Sequence, residues 1–180
     1  MLKIVVPARE SWDEKNNVFV ETKETELCLE HSLVSISKWE AKWNKPFLSK
    51  DPHTEAEVRD YIRCMTITQN VDPNVYNMLT ADNFEQINNY INAPMTATTF
   101  RENPNQKRSS EIITAEIVYY WMIALDIPFE CQRWHFNRLM TLIRVCSIKN
   151  QPSKKMSKRD IVANNASLNA QRRAKLGTKG

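Results

Sequence analysis

The stretch that decides the fold is residues 112–125, IITAEIVYYWMIAL, in which Glu116 carries the only charge. Apolar side chains occupy nearly every position, so a helix built from this stretch is apolar almost all round. A helix of that kind belongs in the centre of a domain, where every face meets protein. We therefore predict the central core helix here, with Ser109 or Ser110 as its N-cap.

The residues after this stretch predict a packing partner for the central helix. Residues 126–128, DIP, are a turn signal, and a helical stripe follows them and ends near Lys149. The stripe consists of Cys131, Trp134, Arg138, Leu142 and Val145. We expect the two helices to form an antiparallel hairpin.

Further helices are predicted upstream of the central one. Ser32 is placed to cap the first of them, and residues 44–46, NKP, end it. Residues 54–57, TEAE, have the spacing of a capping box and begin the second. Residues 72–73, DP, open a turn or a short helix, and a further helix spans roughly residues 82–92.

The first 30 residues predict a small β-element. Residues 2–6, LKIVV, form a β-branched run that Pro7 ends, as in an edge strand. Residues 18–20 and 27–29 read as two short strands that flank a hairpin at residues 21–26. The predicted fold is therefore mainly α: one helical domain over residues 1–150 that includes this short N-terminal β-element.

Residues 151–180, which we call the tail, differ from the rest of the chain in charge. Eight cations against one acid give the tail a net charge of +7, and the total of +4 leaves −3 for residues 1–150. We predict a flexible or conditionally helical tail that visits an acidic partner or folds back on its own domain. The alternative is a solubilising, disordered terminus without a ligand. The cations are Lys154, Lys155, Lys158, Arg159, Arg172, Arg173, Lys175 and Lys179.

Glycine usage excludes several classes of function. The chain has two glycines, Gly177 and Gly180, both in the tail. Phosphate-binding loops, dinucleotide fingerprints and nucleophile elbows need glycine in the folded domain, so none of them is expected. The four cysteines form no CxxC pair, and we expect buried thiols without a metal site. No cofactor is predicted.

Candidates for catalysis are few, and we predict no enzymatic activity. Glu116 near His135 has the chemistry of a general acid or base, but a buried ion pair or hydrogen bond of Glu116 is the explanation that we favour. Arg133, Arg138 and Arg144 are the possible partners of that pair. Ser109 and Ser110 are explained by capping. His31 and His53 stand alone in predicted turns, where we expect them at the surface.

Other partners and the location follow from charge and hydropathy. The tail can neutralise phosphates, but it lacks the aromatic residues that stack on single strands, so nucleic acid is not the expected main partner. No apolar run reaches the roughly 18 residues that a membrane helix needs. The first seven residues are too short for a secretory signal, so we expect a cytoplasmic protein.

Five strings of the sequence carry a resemblance to a known group of proteins. They are residues 29–40, LEHSLVSISKWE; residues 45–48, KPFL; residues 60–66, DYIRCMT; residues 168–174, LNAQRRA; and residues 177–180, GTKG. With them the chain resembles small proteins of the tail-gene cluster of tailed phages, and it is most similar to tail assembly chaperones of long-tailed phages.

The resemblance implies a non-enzymatic chaperone of the infected bacterial cytoplasm. It would hold the long hydrophobic tape measure protein in soluble form until tail-tube subunits replace it, and it would act as a homo-oligomer. Such chaperones are commonly made in a short and a frameshifted long form. A minor tail or neck protein that stays in the virion is the alternative, and a nucleic-acid-binding protein acting through its tail is a further one.

The resemblance also directs attention to side chains that would bind a client. An amphipathic client helix would be held by apolar groove residues, and the surplus of aromatic and methionine side chains supplies them. The candidates are Trp39, Trp43, Tyr119, Tyr120, Trp121, Met122, Trp134 and Phe136. We expect at least two thirds of these to fill the core instead. The tail cations Lys154, Lys155, Lys158, Arg159, Arg172 and Arg173 would recruit an acidic partner such as the tail-tube protein.

Overall fold

The computed structural model describes residues 1–13, 18–100, 112–150 and 158–177. The chain divides into two units, Met1–Lys149 and Asn150–Gly180, which we describe separately. The larger unit is mostly helical with a short N-terminal β-element, as the sequence predicts.

The N-terminal β-element is an antiparallel ribbon. Strand β1 (Leu2–Val6) pairs with β4 (Thr25–Leu29), and β2 (Arg9–Asp13) pairs with β3 (Val18–Thr22). Both ladders have the same register. Leu2 faces Leu29, and the pairing continues in step until Asp13 faces Val18. Pro7 lies between β1 and β2, where its missing N–H interrupts the pairing.

The ribbon corrects the predicted hairpin. Residues 18–20 do not pair with residues 27–29, because β3 and β4 each pair with a strand from the start of the chain. Residues 21–26 are therefore not the turn of a hairpin between β3 and β4. Strand β2, which the sequence analysis did not predict, supplies the missing partner.

The two helices after the ribbon begin and end as predicted. Helix α1 (Leu33–Trp43) is capped by the Ser32 hydroxyl, which accepts from the Ser35 N–H, and Asn44 ends it in the left-handed conformation. Helix α2 (Glu55–Met65) begins with the capping box of Thr54 and Glu57. Because each cap satisfies backbone groups that the helix leaves free, these boundaries follow from local sequence.

The next two elements also confirm the predictions. A 3₁₀ helix (Pro73–Asn77) follows Asp72, whose carboxylate accepts from the Asn74 N–H. Helix α3 (Ala81–Asn92) begins at a capping box that Thr80 forms with Asn83. Helix α3 packs against β1, and the Asn83 amide donates to the Val5 carbonyl across that contact.

Residues 112–125 do form a helix, but it is not the central one. Helix α4 (Ala115–Ala124) buries only Ala115, Val118 and Met122. It packs against α1, which also contacts α2 and a 3₁₀ helix (Phe129–Arg133). The central helix is therefore α1, and α4 lies at the side of the core.

The start of α4 and its predicted partner also differ from expectation. Thr114 precedes α4 without a side-chain capping bond, while Ser109 and Ser110 lie outside the described residues. Helix α5 (Phe136–Asn150) begins five residues later than Cys131, which is part of the 3₁₀ helix. Helix α4 packs against α1, and its pairing with α5 as an antiparallel hairpin stays a prediction.

The inward face of α5 is set by different residues from those predicted. Phe136, Leu139 and Ile143 are its buried side chains, whereas Arg138 is exposed and Leu142 is half-buried. The predicted stripe was counted from Cys131, before the helix begins, and so it is out of phase with the helix.

The core lies between the ribbon and helices α1, α2, α4 and α5. Its largest fully buried side chain is that of Trp39. Other members are Ile4, Val6, Leu27, Leu29, Leu33, Ile36, Ile62, Met65, Val118, Met122, Phe136, Leu139 and Ile143.

The smaller unit contains one described helix, α6 (Lys158–Leu176). Every side chain described on it is exposed, including the apolar Ile161, Val162 and Leu168. The helix-forming residues of this stretch led us to predict a conditional helix. Its dependence on a partner stays a prediction.

Candidate protein-binding surface

Helix α4 presents an apolar face to solvent. The side chains of Tyr120 and Ile123 are 66% and 64% exposed, and Phe129, which follows the helix, is 52% exposed. Tyr120 and Ile123 are three residues apart and so lie side by side on the helix. We call Tyr120, Ile123 and Phe129 the α4 surface. Exposed apolar groups of this size in one place are typical of interaction sites.

The carboxylate of Glu40 holds the beginning of α4 in place. Glu40 is buried in α1, and its Oε2 accepts from the Ala115 N–H at 2.8 Å, while its Oε1 accepts from the Phe47 N–H at 2.8 Å. A carboxylate at this end also complements the positive pole of the helix. Glu40 thus takes the place of a local cap and ties α4 to α1.

The end of α4 orients Phe129 beside the helix. Asp126 has a φ of 57°, and the next residue, Ile127, is buried and donates its N–H to the Met122 carbonyl at 2.8 Å. The ring of Phe129 lies 6.5 Å from that of Tyr119 between centroids. The Tyr119 hydroxyl donates to Gln132 Oε1 at 2.9 Å, which ties α4 to the following 3₁₀ helix. The α4 surface is therefore built on anchored backbone.

Three acidic residues surround the α4 surface. Glu116 precedes Tyr120 by one helical turn, Asp126 follows the helix, and Glu130 is next to Phe129; all three are exposed. Within the described ranges, no lysine or arginine forms an ion pair with any of them. The surface is thus apolar at its centre and acidic around it.

Lys45 is the described cation that shares a cleft with Glu116. Its Nζ lies 2.6 Å from Glu57 Oε1, a carboxylate oxygen that is buried. Lys45, together with the backbone N–H of Thr54, holds the pKa of Glu57 at about 2. Lys45 forms its ion pair with Glu57, and no ion pair to Glu116 is found among the described residues.

A second apolar groove lies between α2 and α3. It encloses about 490 Å³ and is lined by Val58, Ile62, Phe84, Ile87 and Ile91, with Glu85 at its edge. The guanidinium of Arg59 lies over the Phe84 ring at 5.8 Å. This groove is the alternative binding site in the larger unit.

Two of the predicted binding residues lie in the core. Trp39 is fully buried, and its indole N–H donates to the Glu57 carbonyl at 2.9 Å. Phe136 is buried at the start of α5, where its backbone N–H donates to the His31 carbonyl at 2.7 Å. Neither side chain is accessible to a partner, so the structure corrects both assignments.

Trp43 and Trp134 are half-buried and engaged by neighbouring side chains. The Trp43 indole N–H donates to Asp60 Oδ2 at 2.9 Å. The guanidinium of Arg138 lies 4.2 Å from the ring centroid of Trp134. Of the seven aromatic candidates, Tyr120 is the one whose side chain is exposed.

The other candidates divide between core and boundary. Met122 is buried, and Tyr119 and Trp121 are half-buried against the core. With Trp39 and Phe136, three of the eight candidates are buried, and four more pack against the core from its boundary. We expected at least two thirds of the candidates to fill the core. That expectation is met only if the four half-buried side chains are counted together with the three buried ones.

The predicted cations of the tail lie on α6 where they are described. Lys158, Arg159, Arg172 and Arg173 are on this helix and are exposed. Lys154 and Lys155 lie outside the described residues.

His31 and His135 are interior residues, which corrects the expected surface position of His31. His31 and His135 are both buried, with ring centroids 5.1 Å apart. His31 Nδ1 forms a hydrogen bond with the Tyr61 hydroxyl, and His135 Nε2 donates to the Tyr90 carbonyl at 3.0 Å. Burial, and the neighbouring His135, lower the pKa of His31 to about 3. Burial also lowers the pKa of His135.

This histidine cluster has a structural role. Phe47 and Phe136 also pack against the His31 ring, and burial raises the pKa of the Tyr61 hydroxyl. Neutral, buried groups that bond to one another present no open face to a substrate. His53 is half-buried, with a ring nitrogen 3.1 Å from the Phe47 carbonyl.

The expected environment of Glu116 is also corrected. Glu116 is exposed, so it is neither a buried acid with a catalytic environment nor half of a buried ion pair with Arg133, Arg138 or Arg144. In the described ranges, no three potential ligands among His, Cys, Asp and Glu are placed to hold a metal ion. No helix in the described part of the chain is long and apolar enough to cross a membrane.

Sequence reasoning missed Ile123 and Phe129 of the α4 surface, and also Glu40, which anchors the helix. Ile123 shares a helix face with Tyr120, so a count by helical turn would have found it. Phe129 and Glu40 act through tertiary contacts, and no local signal marks them.

No known protein family, curated protein or solved structure matches the chain.

Proposed function

We propose that this protein is a non-enzymatic tail assembly chaperone of a long-tailed phage that binds the tape measure protein and keeps it soluble. The single observation that carries the binding activity is the exposed apolar α4 surface on an anchored helix. The phage setting rests on the sequence resemblance alone. The proposed location is the cytoplasm of the infected bacterium.

The chemistry of the α4 surface fits an amphipathic helix of a client. Tyr120 and Ile123 form a ridge on α4, and Phe129 adds a second contact beside it. A client helix buries its own apolar stripe against such a ridge. Because the folded unit lacks glycine, it has no phosphate-binding loop, so release would follow from competition by tail-tube subunits rather than from nucleotide hydrolysis.

A long client needs several copies of a small chaperone along its length. We therefore propose a homo-oligomer, and light scattering at micromolar concentration measures its mass. A mass equal to the 21.1 kDa chain contradicts this part of the proposal.

The test of the function is co-expression with the tape measure protein encoded nearby. The expected result is that the wild-type chain recovers the tape measure protein in soluble form and is itself absent from purified particles. Ile123→Asp places a charge in the α4 surface and should abolish recovery.

Ile67→Asp is the matched control for this test. Ile67 is 53% exposed, and the bond of its backbone N–H to the Cys28 carbonyl does not involve the side chain. Loss of recovery with both variants would mean that the α4 surface is not the binding site. An insoluble tape measure protein beside the wild-type chain, with the chain found in particles, would overturn the chaperone in favour of a structural virion protein.

A further inference from the structure

We propose that the α4 surface selects client helices that carry lysine or arginine near both ends of their apolar stripe. This inference rests on the proposed function and names the chemistry of the client. The observation behind it is the set of exposed acids around the surface, namely Glu116, Asp126 and Glu130.

The acids lie at both ends of the apolar ridge. Glu116 is one turn before Tyr120, and Asp126 is three residues after Ile123. At 1.5 Å per residue, Glu116 lies about 12 Å before the end of α4 at Ala124, and Asp126 lies two residues beyond that end. A client helix that lies along the ridge therefore meets a carboxylate at each end of its contact.

The backbone of α4 adds partial negative charge to that of the exposed acids only at the C-terminal end of the helix. Its last carbonyls carry the negative pole of the helix next to Asp126. At the other end, the Glu40 carboxylate accepts from the Ala115 N–H. Glu116 lies in the first turn there, and Lys45, the cation that lines the same cleft, forms its ion pair with Glu57.

The matching partner is a helix with an apolar stripe and two cations about ten residues apart. Its cations gain from the exposed acids, while an acidic helix with the same stripe meets like charge. Charge at the edge of an apolar contact gives specificity more than affinity. The α4 surface thereby distinguishes basic from acidic amphipathic helices that would otherwise bind equally.

The test uses the full chain and two synthetic helical peptides that share one apolar stripe. One peptide carries two lysines ten residues apart beside the stripe, and the other carries two glutamates there. We expect the lysine peptide to bind roughly tenfold more tightly in fluorescence anisotropy at low salt. The preference should shrink in 1 M salt, where the screening length is about 3 Å.

Charge reversal identifies the residues responsible. Glu116→Lys with Asp126→Asn should abolish or invert the preference, and Asn accepts the left-handed backbone of position 126. Glu24→Lys with Glu85→Gln is the control, since it makes the same change in net charge at exposed positions outside α4, and Glu85 borders the α2–α3 groove. If the control inverts the preference and the α4 variant does not, the groove is the site and this inference is wrong.

The remaining outcomes separate this inference from the proposed function. Equal binding of both peptides, with Ile123→Asp still abolishing recovery of the tape measure protein, overturns the charge selection and leaves the chaperone intact. Failure of both peptides to bind overturns the charge selection. If Ile123→Asp instead turns an oligomer into monomers, the α4 surface joins copies of this chain and both proposals fail.

Discussion

Acid should destabilise the folded chain through the buried histidines before its carboxylates begin to protonate. His31 has a pKa of about 3 in the folded chain and an ordinary value of 6.5 when unfolded. Between these values the unfolded chain binds the extra proton, so stability falls as the pH falls below 6.5. The cause is that an imidazolium at this position would lie buried beside His135 and aromatic rings.

The size of the effect follows from the shift. At pH 5 the unfolded chain is protonated at His31 and the folded chain is not, which costs about 2 kcal/mol relative to pH 7. This is a large part of the 5–15 kcal/mol that stabilises a typical domain. His135 acts with the same sign, because burial lowers its pKa as well.

Urea unfolding at pH 7, 6 and 5 measures this loss. His31→Gln removes the titration and keeps a neutral group that can bond to the Tyr61 hydroxyl. Between pH 7 and pH 5, the wild type should lose about 2 kcal/mol more than this variant. Equal losses in both chains would refute the buried, neutral state of His31.

Three further predictions concern the anchoring of α4, the core and the tail. Glu40→Ala leaves the N–H groups of Ala115 and Phe47 without an acceptor, so urea unfolding should show a loss of about 2–4 kcal/mol; an unchanged midpoint would mean that water replaces the carboxylate. Trp39→Phe removes the hydrogen bond to the Glu57 carbonyl and leaves a gap, which should lower the free energy of unfolding by about 1–3 kcal/mol. Tyr120→Ala should change the free energy of unfolding by less than about 0.5 kcal/mol and impair client recovery. Truncation after Gln151 should leave the thermal midpoint of the larger unit nearly unchanged and weaken a partner interaction in a pull-down; unfolding on truncation would make the tail part of the core.

Local signals in the sequence determined several helix boundaries. Ser32, Thr54 and Asp72 each satisfy free backbone N–H groups within three residues, so the starts of α1, α2 and the first 3₁₀ helix are written in short strings. Pro7 likewise marks the end of β1 through its missing N–H. The mainly helical fold class follows from these signals and from the apolar periodicity.

Long-range pairing decided what local signals left open. Nothing in residues 18–29 reveals that β3 pairs with β2, because strand partners are chosen by register and burial over the whole ribbon. The start of α4 depends on Glu40, 75 residues earlier in the chain. Such contacts exist only once the elements are packed together.

The α4 surface shows most clearly what local sequence determined and what packing determined. The apolar run of residues 112–125 determined that α4 would be a helix, but an apolar helix does not reveal which neighbours cover it. The tertiary structure buries Val118 and Met122 against the core and leaves Tyr120 and Ile123 in solvent. The same packing encloses Trp39 and His31, because α1 and the segment before it lie at the centre. Composition alone determined which apolar residues were available, and packing decided which of them remain free to bind.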